Sequence, residues 1–169
     1  MKKIMTLVLA LAMVFALCAC GAAETPAEET TTTEEATTQI ANPWQDVESV
    51  AAAEELVGYG IEAPETVAGL AQTAVRAMVG ENGETMIELV YGDNEIVIRK
   101  APGADDVSGD YNTYAATEEV TVGDAAVTEK GDGENVFCAI WTSGDYAYAI
   151  VATAGIGADA VAEAVAAVK

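Results

Sequence analysis

Apolar residues fall along the chain in three regimes. Ile4 to Leu17 is an uncharged apolar run of 14 residues, residues 22–41 hold almost no large apolar side chain, and from residue 42 onward apolar positions recur periodically. Asn42-Pro43-Trp44-Gln45 reads as a helix start, with Asn as N-cap, Pro at the first helical position and Gln closing a capping box. Val47, Val50, Ala53 and Val57, with Leu56 beside them, supply an apolar stripe, and Gly58 and Gly60 end the helix, with Pro64 beyond.

From about Thr73 the period becomes two. Val75, Ala77 and Val79 alternate with Arg76 and Met78; Ile87, Leu89 and Tyr91 alternate with Glu88; Ile96 and Ile98 share a face opposite Arg99. Glu81-Asn82-Gly83 and Gly92-Asp93-Asn94 carry the residues that tight hairpins need at positive φ. After an irregular stretch, Val120 to Val122 and Ala125 to Thr128 flank Gly123-Asp124 as another hairpin, followed by Gly131-Asp132-Gly133. Val136 to Thr142 and Tyr146 to Thr153 flank the turn Ser143-Gly144-Asp145 and are apolar on both faces, which places them at a sheet's centre.

Gly157 to Val168 returns to the helical period, with Ile156, Ala160, Val161, Ala164, Val165 and Val168 on one stripe. Asp159 near its N-terminus and Lys169 at its C-terminus suit the macrodipole. The expected class is α+β: a meandering antiparallel sheet of about six to seven strands flanked by an N-terminal and a C-terminal helix.

Composition narrows the chemistry. Of 169 residues 51% are hydrophobic, but 34 of them are Ala, so the core is modest. There is no His, which removes His-based zinc sites and Ser-His-Asp or Cys-His nucleophile pairs. Asp and Glu number 28 against 7 Lys and Arg, which leaves no basic surface for nucleic acid. No repeat at solenoid or propeller periods is present.

The N-terminus reads as an address. Lys2 and Lys3 precede the apolar run, which is shorter than the roughly 18 to 20 residues a membrane span needs, so it is expected to act as a signal peptide. It ends in Leu17-Cys18-Ala19-Cys20-Gly21, which fits a bacterial lipobox: cleavage between Ala19 and Cys20, with the Cys20 thiolate taking a diacylglyceryl group. An ordinary secretory signal cut near Ala22 or Ala23 is the alternative; Cys18 leaves with the peptide either way. Two or more acyl chains, at about 0.8 kcal/mol per buried methylene, make a stable anchor. Gly21 stands where an Asp could act as an inner-membrane retention signal.

The expected organisation is therefore a lipoprotein signal peptide at 1–19, a lipid-anchored tether at 20–41 and a single α+β domain at 42–169. Residues 22–41 contain seven Thr and five Glu, too polar to order themselves, and a flexible chain of that length spans roughly 25 Å. Cleavage after Ala19 leaves 5 basic and 28 acidic residues, a net charge of −23 that anionic headgroups and wall polymers repel. Attachment would rest on the lipid.

Asn42-Pro43-Trp44, Gly58-Tyr59, Pro64, Tyr91, Ile98-Arg99-Lys100, Ser108-Gly109-Asp110-Tyr111-Asn112 with Tyr114, Ala139-Ile140-Trp141, Tyr146-Ala147-Tyr148 and the closing helix occur in order through residues 42–169. In these the chain resembles a domain of unknown function found in lipoproteins of Clostridia and related Firmicutes. That domain is similar to the extracytoplasmic domain of some anti-sigma-factor-like membrane proteins. The resemblance implies a Gram-positive cell surface and an α+β domain, and no established activity or site residues. With the run at 4–17 read as a cleaved signal, the chain is expected to depart from the anti-sigma-like architecture in lacking a cytoplasmic segment.

Four features invite a functional reading. Asp105, Asp106 and Asp110, with Tyr111, Asn112 and Tyr114, lie in one irregular loop whose oxygens suit Ca²⁺, although the spacing matches no EF-hand; a connecting loop that docks its tyrosines on the sheet is the preferred reading. Trp141, Tyr146 and Tyr148, joined by Trp44 and Tyr59, would suit a carbohydrate or peptide groove, but fit a core of otherwise small residues better. Cys138, with no cation near it in sequence, reads as a small buried hydrophobe. Gly131-Asp132-Gly133 matches no phosphate-binding pattern.

The expected function is a non-enzymatic surface module with no catalytic residue, metal or cofactor, its membrane contact made through the lipid on Cys20 and its ligand an envelope protein or a small wall or nutrient molecule. An envelope sensor or assembly component acting through a membrane protein partner is the alternative. A carboxylate-only glycan hydrolase is a third, since two acids can suffice for that chemistry.

Overall fold

The computed structural model describes residues 42–169. The expected signal peptide, its Ala19–Cys20 cleavage site, the lipidated Cys20 and the tether lie outside the described residues.

The first departure from expectation is local. Trp44–Val47 is a strand, β1, and the helix α1 begins only at Val50 and runs to Val57. Ser49 sets that start: it is extended, and its hydroxyl accepts the Ala52 N–H at 3.2 Å, the role assigned above to Asn42. Asn42 instead accepts the Trp44 N–H at 3.2 Å. Trp44 and Asp46 alternate with Gln45 and Val47, a period of two hidden in a stretch short enough to be read as a helix stripe. Gly58 ends α1 as expected, in the left-handed region at φ +87, and its N–H returns to the Glu54 carbonyl.

The remaining strands are β2 (Thr66–Val67), β3 (Leu70–Val79), β4 (Thr85–Tyr91), β5 (Ile96–Pro102), β6 (Ala116–Val122), β7 (Ala125–Gly131), β8 (Val136–Ser143) and β9 (Tyr146–Ile156), followed by α2 (Ala158–Ala167). There are nine strands rather than six to seven; β1 and the two-residue β2 are the additions. Every pairing is antiparallel, in the order β1-β3-β4-β5-β9-β8-β7-β6, with β2 on β3. The sheet is thus two meanders, not one. Residues 103–115 carry the chain from the sheet's centre to its far edge, and the chain works back until β9 pairs with β5. β9 is the longest strand and apolar on both faces, which suits it to the central place.

Alternation assigns the faces. Val75, Ile87, Leu89, Tyr91, Ile96, Ile98, Val127, Trp141, Tyr148 and Ile150 point to one side and form the main core with Ala53 of α1 and Val161, Ala164 and Val165 of α2. A smaller cluster of Ala101, Val107, Ala147 and Ala149 lies on the other face beneath the 103–115 loop. Small Ala side chains let α2 and the sheet approach closely, and the Trp141 and Tyr148 rings stack at 5.2 Å with 8° between planes. Leu56 and Val79, both placed on apolar stripes above, are 46% and 43% exposed. No helix among the described residues is long and apolar enough to cross a membrane.

Trp141 is 5% exposed and central to the main core. Trp141→Ala is expected to cost about 3–5 kcal/mol, while Leu56→Ala, on a half-exposed side chain, should stay within about 0.5 kcal/mol. Urea unfolding of the two variants checks the contrast.

Candidate functional site

The face opposite the main core carries a row of alternating charge. Register pairs Asp46 of β1 with Arg76 of β3, Arg76 with Glu88 of β4, and Glu88 with Arg99 of β5. Side chains at directly opposed positions share a face, so the four line up across four strands as acid, base, acid, base.

Glu88 is the centre of the row and only 3% exposed. Its Oε1 accepts Arg76 Nη1 at 2.9 Å and its Oε2 accepts Arg99 Nε at 2.8 Å, so both oxygens are taken by guanidinium donors. Arg76 Nε reaches Asp46 at 3.1 Å and its Nη1 also reaches the Asn94 side-chain oxygen at 3.2 Å. Glu88 first, and then Asp46, hold the Arg76 pKa above its ordinary value against the opposing effect of burial. Arg99 lies 5.6 Å over the Trp44 ring and donates through Nη1 to the Ser108 carbonyl.

That last contact fixes the neighbouring loop. Gly109, at φ +62, follows the carbonyl that Arg99 holds, and a Cβ there would stand 2.6 Å from Arg99 Nη1. Glycine suits both the left-handed turn and the close guanidinium. The row, the loop and the ends of β1 and β9 enclose an open pocket of about 510 Å³. Asn42, Asn94, Asn112, Asp46 and Asp110 face it beside the two arginines, and Trp44 supplies its aromatic wall. Amides, carboxylates and guanidinium groups around one ring offer both donors and acceptors to a polar ligand.

The sequence-derived candidates fall elsewhere or take other roles. In the acidic loop, Asp106 accepts the Ser108 N–H at 2.8 Å and pairs with Lys130 at 3.3 Å. Asp110 accepts from Asn112 and from the Tyr114 hydroxyl at 2.5 Å. These donors outweigh the opposing effect of burial and hold both carboxyls below their ordinary pKa. Asp106 and Asp110 are thus spent on the loop's own turns and on Lys130, Asp105 is exposed, and no three metal-ligating side chains converge among the described residues. Tyr114 docks on Phe137 at 5.7 Å, whereas Tyr111 is 97% exposed.

The aromatic residues divide between the faces. Trp141, Tyr148 and Tyr59 are buried in the core and Trp44 lines the pocket, so they form no common groove. Tyr59, Tyr146 and Tyr148 surround Lys100 instead, with Nζ 6.0, 4.5 and 5.4 Å from their rings and 2.7 Å from the Gly60 carbonyl it donates to. Burial pulls the Lys100 pKa down, offset in part by Glu62 and Glu54. Cys138 is fully buried, which pushes its thiol pKa up, although Lys130 stands directly across from it. Glu88 and the arginines were visible in sequence only as outward-facing positions; their convergence follows from register.

Comparison with family models, curated proteins and solved structures gives no match to this chain.

Glu88→Ala should leave Arg76 and Arg99 facing each other and cost about 2–3 kcal/mol, below the full penalty of a broken buried pair because both arginines keep some solvent. Asp46→Ala, at the 83% exposed end of the row, should cost under about 1 kcal/mol. Chemical denaturation of both variants reads the difference.

Proposed function

We propose that the chain is a lipid-anchored, extracytoplasmic binding module, and that residues 42–169 take a small polar ligand in the Arg76–Glu88–Arg99 pocket. The observation that carries this is the placement of cations. Residues 42–169 contain 23 Asp and Glu and only five Lys and Arg, and two of those five stand side by side at one pocket. In so acidic a domain, two adjacent guanidinium groups give a carboxylate or a hydroxyl-rich ligand fixed donors, set among the Asp46, Glu88 and Asp110 carboxylates that line the same pocket.

The donors support the same reading. Arg76 and Arg99 use Nε and Nη1 on protein acceptors, and among the described residues Nη2 of each has no acceptor and is available to a ligand. Trp44 provides a flat apolar surface, and the three asparagines read hydroxyl groups in either sense. Sugars and small carboxylates of the envelope have this chemistry. The pocket carboxylates serve as acceptors in a fixed network, an arrangement suited to binding rather than to acid–base chemistry. The lipobox at Leu17 to Cys20 and the polar stretch at 22–41 support the anchored, outward-facing placement.

Two experiments test the two halves. Full-length protein in detergent should bind a wall sugar or short-chain carboxylate with a change in Trp44 fluorescence and a midpoint raised by several degrees near 100 times Kd. Arg99→Lys, which keeps the charge but loses the planar fork, should lose that response. No response across such a panel would shift the reading to a protein partner, sought by in-cell crosslinking. For the anchor, Cys20→Ser should yield an unlipidated, mislocalised precursor, and normal lipid labelling of that variant would sink the assignment.

A further inference from the structure

The cations of residues 42–169 are all engaged, and one buried acid is left without any. Arg76 and Arg99 hold Glu88, Lys100 sits among tyrosines, Lys130 meets Asp106, and Lys169 stands 3.9 Å from Glu62. Glu129, on the core-facing side of β7 between Val127 and Gly131, is 8% exposed. Its carboxylate has neither a hydrogen-bond donor nor an ion-pair partner among the described residues, and its oxygens are not sealed off but open to a pocket. Lys130, next in sequence, belongs to the opposite face.

The residue directly across from Glu129 on β6 is another acid, Glu118. Like charges at opposed positions repel, and burying an ionised carboxylate without a donor is costly. Burial first, and Glu118 second, push the Glu129 carboxyl pKa up. Both side chains line a pocket of about 80 Å³ at the rim of the core face, on the other side of the sheet from the arginine pocket. Glu134 adds a third carboxylate at its mouth, and Ala116, Val136 and Ala158 give it short apolar walls.

We propose that this pocket binds a primary alkylammonium group, the end of a small amine or polyamine, between Glu129 and Glu118. The ammonium supplies the donors and the charge that the protein withholds, and the following methylenes lie along the alanine and valine walls. A volume of 80 Å³ holds several water-sized groups, which suits a head and short stem rather than a whole sugar. A divalent metal fits less well, since three ligating side chains do not converge there and Ca²⁺ takes six to eight oxygens. The net charge of −18 over residues 42–169 concentrates cations around the domain.

The test is thermal unfolding of the full-length protein in detergent with 1,4-diaminobutane, against KCl at matched ionic strength and against CaCl₂. The midpoint is expected to rise by several degrees with the diamine and not with the salts. Glu129→Gln should abolish the rise while folding at least as stably as the parent, and Glu118→Gln should weaken diamine affinity about tenfold. Three results would overturn the proposal. They are a diamine response no larger than that of KCl, a response retained in Glu129→Gln, or an equal CaCl₂ response lost in both variants. Stabilisation by Glu129→Gln with no diamine effect in the parent would assign the two carboxylates a shared proton instead.

Discussion

Scarcity of positive charge governs this domain. With five basic side chains for 23 acidic ones, most carboxylates must stay in water, and of the two glutamates buried in the sheet one, Glu88, takes cations while the other, Glu129, goes without. Glu88 takes two of the five. That concentration holds β3, β4 and β5 in one register, because a slip of one residue would turn Arg76, Glu88 and Arg99 into the apolar core. Arg99 then reaches past the sheet and fixes the Ser108–Gly109 backbone, so the longest irregular connection is tied to the same network.

The opposite face meets the shortage in another way. Lys100 follows Arg99 on β5 and so points into the core, where it makes no ion pair among the described residues and feels Glu62 and Glu54 only at longer range. Three tyrosine rings and the Gly60 carbonyl accommodate it. The next positions in its row are Tyr148, Trp141 and Val127, paired in turn across β9, β8 and β7. This row supplies much of the bulk that an Ala-rich sequence otherwise lacks. Adjacent residues of one strand thus anchor two different environments, an ionic one outside and an aromatic one inside.

The sequence disclosed periods and turns well, and disclosed register poorly. Alternation around Val75, Ile87 and Ile96, the Asn and Gly turns, and the Val161–Val168 stripe are local properties, and each marks an element that the structure contains. Trp44–Val47 reads as part of a helix because four residues cannot separate a period of two from one of 3.6, and because Asn42 has the chemistry of the cap that Ser49 supplies. The double meander was not legible, since nothing local says that β9 returns to β5 rather than extending the meander. The pocket was illegible for the same reason. Arg76, Glu88 and Arg99 are 12 and 11 residues apart, and only the pairing of three strands places them in a line.

A ligand in the arginine pocket would meet a site already built. Glu88 is held from both sides, Arg99 is braced by Trp44 and the loop carbonyl, and Asn94 steadies Arg76, so the guanidinium groups keep their places without an occupant. Little ordering entropy remains to be lost on binding, which favours affinity for small molecules that offer few contacts. The acidic rim has the opposite effect. Asp46 and Asp110 flank the arginines and repel a dianion, while a neutral sugar or a single carboxylate can accept from Nη2 and donate to the same rim. Selectivity would then rest on the balance between the two arginines and the acids beside them, set by the same charge row that orders the strands.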